Sequence, residues 1–282
     1  MSNPTKEQSA QAPLRRARVW GFFAALALLV VTGGCQSKTA TAQQSLVIAG
    51  STSVQPFAEK LAEIFMHQHP KCLINVQGGG SNAGVYAARQ GAADLGASSR
   101  ELVAAEKDLI ETPIAYDGIA VIVHPSNPLT NLTLAQLKEI FEGRLKDWSA
   151  LGLPPHAIHL ITREEGSGTR EAFEHLVMGK TDITPAALVQ DSNGAVREIV
   201  AGDPHALGYI SVGLVDSRVK AVAIDGLFPT QKNIKSRAYG LVRRFLLVSR
   251  TAPTGLGQSF VEFILSPQGQ KILETEGLVG VK

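Results

Sequence analysis

The sequence predicts an α/β protein of two lobes, each a mainly parallel sheet flanked by helices. Three observations carry that reading. Strand-like and helix-like segments alternate along the chain, the pattern of parallel strands covered by helices. The β-rich run PIAYDGIAVIVHPSNP (113–128), ended by two prolines, is long enough to cross between lobes. The late apolar segment RRFLLVS (243–249) can lie beside GIAVIVH (118–124) and return the chain to the first lobe, making two hinge crossings.

The elements follow in order. Arg15, Arg16 and Arg18 precede the apolar run VWGFFAALALLVV and the small residues TGGC, so residues 1–35 read as a secretory signal, too short for a spanning helix. Cys35 sits where a bacterial lipoprotein is acylated, although Thr32 stands where Leu is usual, and plain secretion or an uncleaved anchor are the alternatives. Residues 36–45 form a flexible tether. SLVIAG is a strand, and Val54, Phe57, Leu61, Ile64 and Phe65 line one face of the helix after it. CLINVQ is a buried strand, AGVYAARQG a helix and ADLGAS a short strand. Residues 46–118 make the first part of lobe 1. In LTLAQLKEIFEG, Thr133 and Gln136 form a capping box above Leu137, Ile140 and Phe141. Asn193 can cap GAVREIVAG, while LGYISV and KAVAIDG are strand candidates, so residues 119–237 make lobe 2. Residues 238–282 return to lobe 1, ending in a helix with Ser266 as cap, Pro267 in its first turn and Gly277 as stop.

Composition narrows the functions. Residues 1–35 hold four of the 27 Lys+Arg and one of the 25 Asp+Glu, leaving 23 basic against 24 acidic residues beyond. No basic surplus marks a nucleic-acid footprint. If Cys35 is acylated, Cys72 is alone; a Cys35–Cys72 disulfide is the lesser alternative. The seven His are scattered, so no metal and no cofactor is expected.

Four turns carry the chemistry. TREEGSGTRE (162–171) sets Arg163 before a Gly-Ser-Gly turn and a helix start, where free N–H groups and a forked guanidinium suit an oxyanion. GSTSVQP (50–56), GGGSNAG (78–84) and GASSRE (96–101) repeat the theme with hydroxyls at strand-to-helix junctions. Any one of them alone reads as a helix cap. Four together point to one ligand in a cleft at the strand ends.

The segments IAGSTSVQPFAEKLAEIF, GGGSNAGVYAARQGAADLGASSRE, YDGIAVIVHPSNPLTNLTLAQLKEIFEGRLKDW, TREEGSGTREAFE, DSNGAV and GYISVG resemble the phosphate-binding component of bacterial phosphate ABC transporters. The likeness runs in the same order from about residue 46 to the end. It implies a type-2 periplasmic-binding-protein fold, closure of two lobes on inorganic phosphate, and delivery to ABC transporter permease subunits. It implies no catalysis, a monomer, and a place in the periplasm or on the outer face of the membrane, held by lipid on Cys35. By the resemblance, Thr52, Ser53 and Ser81 would be the first-lobe donors; Arg163, Ser167, Gly168 and Thr169 would come from the second. Arg170 reads instead as the i+4 partner of Glu174.

One position departs from the family. Ser99 stands where the best-described members carry an Asp that accepts a proton from phosphate. A Ser accepts more weakly, and Asp117 is the alternative acceptor, or else a carboxylate that fixes the hinge or pairs with a base. Sulfate, molybdate and tungstate therefore stay open as ligands. Other classes fit less well. The stretch GGSNA (79–83) lacks the last glycine of a nucleophile elbow, GKT (179–181) lacks the Walker glycine, and an adhesion or signalling lipoprotein would have an empty or occluded cleft.

Overall fold

The computed structural model describes residues 43–281; the signal segment, Cys35 and most of the tether lie outside the described residues. Lobe 1 opens with β1 (Gln44–Gly50), α1 (Gln55–Gln68), β2 (Cys72–Gly78), α2 (Ser81–Gln90) and β3 (Leu95–Ser98), then reaches the long β4 (Ile110–Val123). Lobe 2 follows with β5 (Asn131–Leu132), α3 (Leu134–Phe141), β6 (His159–Arg163), α4 (Gly168–Phe173), β7 (Leu188–Gln190), α5 (Asn193–Gly202), β8 (Ala206–Ser211), β9 (Lys220–Ala221), β10 (Ala223–Ile224) and α6 (Gln231–Lys235). The chain returns through β11 (Val242–Ser249), α7 (Gly255–Leu265) and α8 (Pro267–Thr275).

The strands run in the order β2-β1-β3-β11-β4-β8-β6-β7, with β9 beside β4. In lobe 1, β1 is parallel to β2 and β3. In lobe 2, β6 is parallel to β7 and β8. The joint between them is β4. Its residues Ile110–Gly118 pair with antiparallel β11, whereas Ile119–Val123 pair with β8. One strand thus belongs to both lobes and changes partner between Gly118 and Ile119.

That register corrects one expectation. Strand β11 lies beside the earlier half of the crossing strand and not beside GIAVIVH, because β8 and β9 already flank that later half. The β4–β11 register slips at Phe245/Leu246, opposite Pro113, which has no N–H to give the ladder. A second difference concerns β2. It is the sheet edge, so Ile74 is buried but Cys72 is only half-buried.

Each lobe has its own core. Val54, Phe57, Leu61 and Phe65 are buried on one side of α1, with the Phe65 ring 5.4 Å from that of Phe260 in α7. Each such side chain contributes roughly 1.5–3 kcal/mol of burial. In lobe 2, Phe173 and Tyr209 stack 4.1 Å apart, and Phe141 packs 4.6 Å from Phe173. The Thr133–Gln136 capping box forms, with Leu137, Ile140 and Phe141 buried below it. Ser192 caps α5 through the Ala195 N–H, which frees the Asn193 side chain that was expected to do so.

Helix α2 sits close on the sheet because Gly84 has no side chain. A Cβ there would stand 2.5 Å from the Ala49 carbonyl oxygen and 2.6 Å from Gly50 Cα. Gly84→Val is therefore expected to lower the unfolding free energy by about 2 kcal/mol or more, read from urea denaturation. An unchanged midpoint would contradict this packing.

Candidate functional site

The four turns and the β7–α5 junction meet where parallel strands end, the usual place for a ligand in open α/β sheets. The backbones of opposite lobes touch there. The Asn82 N–H donates to the Gly166 carbonyl at 3.1 Å, and a Cβ on Gly80 would meet that same oxygen at 3.1 Å. Gly166 itself has a φ of +85°, a conformation that glycine adopts at no steric cost.

Hydroxyls of both lobes converge on Ser53. Its Oγ lies 2.7 Å from Thr169 Oγ1 and accepts from Asn193 Nδ2 at 2.8 Å and Arg243 Nη2 at 3.2 Å. Asn193 also holds the Ser211 N–H through its Oδ1 at 3.1 Å. Beside this cluster, Ser99 donates its N–H to Ser81 Oγ at 3.0 Å, and Ser51 Oγ donates to Ser99 Oγ at 2.9 Å. Gly168 faces these hydroxyls so closely that a Cβ there would come within 2.2 Å of Ser81 Oγ and 2.7 Å of Ser99 Oγ. Only glycine fits.

Arg163 is 1 % exposed. Its Nε and Nη2 each donate to the Glu164 carboxylate at 2.9 Å, and Nη2 also reaches Thr52 Oγ1 across the cleft at 3.0 Å. The Gln190 and Asp191 carbonyls, at the end of β7, accept from it as well. Its Nη1 is buried with no partner in the protein. Arg170 pairs with Glu174 at 2.8 Å and donates through Nη1 to the Arg163 carbonyl, fastening α4 to β6.

The second buried arginine, Arg243, was not singled out in the sequence. Its Nε donates to Asp117 Oδ2 at 2.9 Å, and its Nη1, like that of Arg163, has no partner. Asp117 is fully buried, and its Oδ1 accepts from Ser211 Oγ at 2.7 Å and the Val212 N–H at 3.2 Å. Both carboxylate oxygens are thus taken. Burial pushes the Asp117 carboxyl up against the pull of Arg243, and burial together with neighbouring Arg163 lowers the Arg243 guanidinium. A guanidinium begins so far above neutral that it stays charged.

The structure thus brings Thr52, Ser53, Ser81, Ser99, Arg163, Gly168 and Thr169 into one donor-rich space. Ser167 is buried at its edge, its hydroxyl capping α4 through the Arg170 N–H. Sequence reasoning missed Ser51, the inward role of Asn193, and Arg243. The one signal for Arg243 was the pair Arg243–Arg244 near the start of an otherwise largely apolar strand. No group of three or more potential metal ligands occurs among the described residues.

Arg100 ties the lobes together at the rim. It pairs with Glu106 at 2.7 Å and Asn82 at 3.1 Å in its own lobe, and with Glu171 of the other at 2.6 Å. The Arg100 hydrogen bond holds the Glu106 carboxyl below its ordinary value of 4.5, whereas burial raises that of Glu171.

The description "PBP superfamily domain" matches residues 36–268. The phosphate-binding protein PstS of Bacillus subtilis (strain 168) is 33 % identical over 243 residues, covering 83 % of this chain and 80 % of its own. A Clostridium perfringens protein, assigned as a phosphate ABC transporter substrate-binding protein and solved with bound phosphate, superposes with a TM-score of 0.83. It is 41 % identical, covering 85 % of this chain and 100 % of its own. An ABC-type phosphate transport receptor from Vibrio cholerae gives a TM-score of 0.70 at 36 % identity, covering 83 % of this chain and 99 % of its own.

The Glu106 shift has a definite sign. A depressed carboxylate contributes stability in full above its unfolded value of 4.5 and loses it as pH falls through the folded value. Glu106→Gln should lower the thermal midpoint at about pH 7 and match the parent near pH 3. An equal deficit at both would contradict the pairing.

Proposed function

The chain belongs to the PBP superfamily, among the relatives of the PstS phosphate-binding proteins, and from that premise we propose that it captures inorganic phosphate between its lobes for an ABC transporter permease. The observation that carries this reading is Arg163, buried with an unpartnered Nη1 where hydroxyls of both lobes meet. Burying an anion costs several kcal/mol unless donors meet its oxygens, on the order of the penalty for any unpaired buried charge. Here Arg163 supplies the charge, and Thr52, Ser53, Ser81, Ser99, Ser167, Gly168 and Thr169 supply hydroxyl and N–H donors.

Capture proceeds by closure. Lobe 1 (46–118 and 238–282) and lobe 2 (119–237) each hold part of the set, so phosphate favours the closed form by touching both. The partner change at Gly118/Ile119 in β4 supports the first of these boundaries. No covalent bond changes, and the protein acts as a carrier rather than an enzyme. It works outside the cytoplasm as a monomer, tethered by lipid on Cys35, and the closed shape is what the permease recognises.

One observation favours a second reading, another tetrahedral oxyanion such as sulfate. Ser99 replaces a carboxylate, and Asp117 has both oxygens occupied, so only hydroxyl oxygens remain to accept a proton from phosphate. Calorimetric competition between phosphate and sulfate separates the two.

Arg163→Gln is expected to weaken phosphate binding by about 100-fold or more. Gly168→Val should prevent closure, and with it tight binding, while leaving each lobe folded. Calorimetric titration after removal of bound anion checks both, and phosphate affinity unchanged in either variant would overturn the site.

A further inference from the structure

We propose that Arg243 is a second guanidinium ligand of the captured anion, aimed into the cleft by Asp117. The inference rests on the interlobe anion site described above and deepens it.

Position comes first. Arg243 in β11 stands directly across the ladder from Asp117 in β4, one residue before β4 changes lobes. The side chain is therefore rooted at the hinge, on the floor of the cleft. It is 3 % exposed, and Asp117 is 0 % exposed. Its Nε and Nη2 both lie against Asp117 Oδ2, and Nη2 is shared with Ser53 Oγ, which in turn touches Thr169 of the opposite lobe.

The hydrogen-bond inventory then separates a ligand from a structural pair. A self-contained hinge pair would leave no guanidinium nitrogen without a partner. Here the Asp117 carboxylate is saturated by Arg243, Ser211 and Val212, yet Nη1 of Arg243 remains buried without a partner. Nη1 of Arg163 is in the same condition. Two buried guanidiniums, each with an Nη1 group left over and each already matched by one carboxylate, form a receptor for a further anion. Ser53 and Thr52 link the pair, because Ser53 accepts from Arg243 and Thr52 from Arg163. The tetrahedral anion that meets the hydroxyls also meets the Nη1 groups of both arginines. With Ser99 in place of a carboxylate, the site recognises charge with two cations rather than reading a proton with an acceptor.

The test is calorimetric titration with inorganic phosphate. Removing Arg243 alone strands the buried Asp117 charge, so the principal variant is Asp117→Asn with Arg243→Gln, which removes both charges together. The expected result is an anion-free thermal midpoint close to that of the parent and phosphate affinity reduced about 100-fold. Affinity within about threefold of the parent, well short of the loss of a hydrogen bond to a charged group, would overturn the proposal. Should the double variant fail to fold, Arg243→Lys keeps the counter-charge of Asp117 but loses the Nη1 group offered to the anion. A drop of about tenfold or more then supports the ligand role, and a smaller change overturns it. A parent protein that binds no phosphate would sink the anion-site reading itself, a separate failure from loss of the Arg243 role.

Discussion

A guanidinium sealed between two lobes is the constraint on which the rest of the structure depends. Arg163 is held by Glu164 and two carbonyls of its own lobe, and the hydroxyl of Thr52 on the opposite lobe completes its shell when the lobes are together. Such a charge is tolerated in the interior only when hydrogen bonds surround it. The surrounding architecture supplies them: the Glu164 carboxylate, the carbonyls of Gln190 and Asp191 at the end of β7, and the Thr52 hydroxyl after β1. The small residues serve that end too. Gly168 lies so close to Ser81 and Ser99 that the lobes could not meet around any larger side chain.

The hinge and the site are the same place. Strand β4 changes partner one residue after Asp117, and Asp117 holds Arg243 at that point. The strand shared by the two lobes therefore also fixes a charge at the bottom of the cleft. At the rim, Arg100 joins Asn82 and Glu106 of one lobe to Glu171 of the other. Closure is thus backed by hydrogen bonds at both depths.

How much of this was legible in the sequence follows the range of the forces involved. The glycine- and hydroxyl-rich turns were legible because turn chemistry is local: Gly166 needs a positive φ, and the hydroxyls mark strand-to-helix junctions. The capping box at Thr133 and the face of α1 were legible for the same reason. The pairing of β11 was not, because it depends on which half of β4 the strands β8 and β9 leave free, a matter of tertiary register. Arg243 went unseen with it, since only that register places it opposite Asp117. Asn193 was mistaken for a cap because Ser192, one residue earlier, has the same capping chemistry.

The most direct test of the central claim is a crystal structure of the protein grown with phosphate, at a resolution that places the anion's oxygens. The account predicts one phosphate between the lobes, with an oxygen within about 3 Å of Arg163 Nη1 and others met by hydroxyls from both sides. Phosphate confined to the outer surface, or Arg163 turned away from it, would contradict the account.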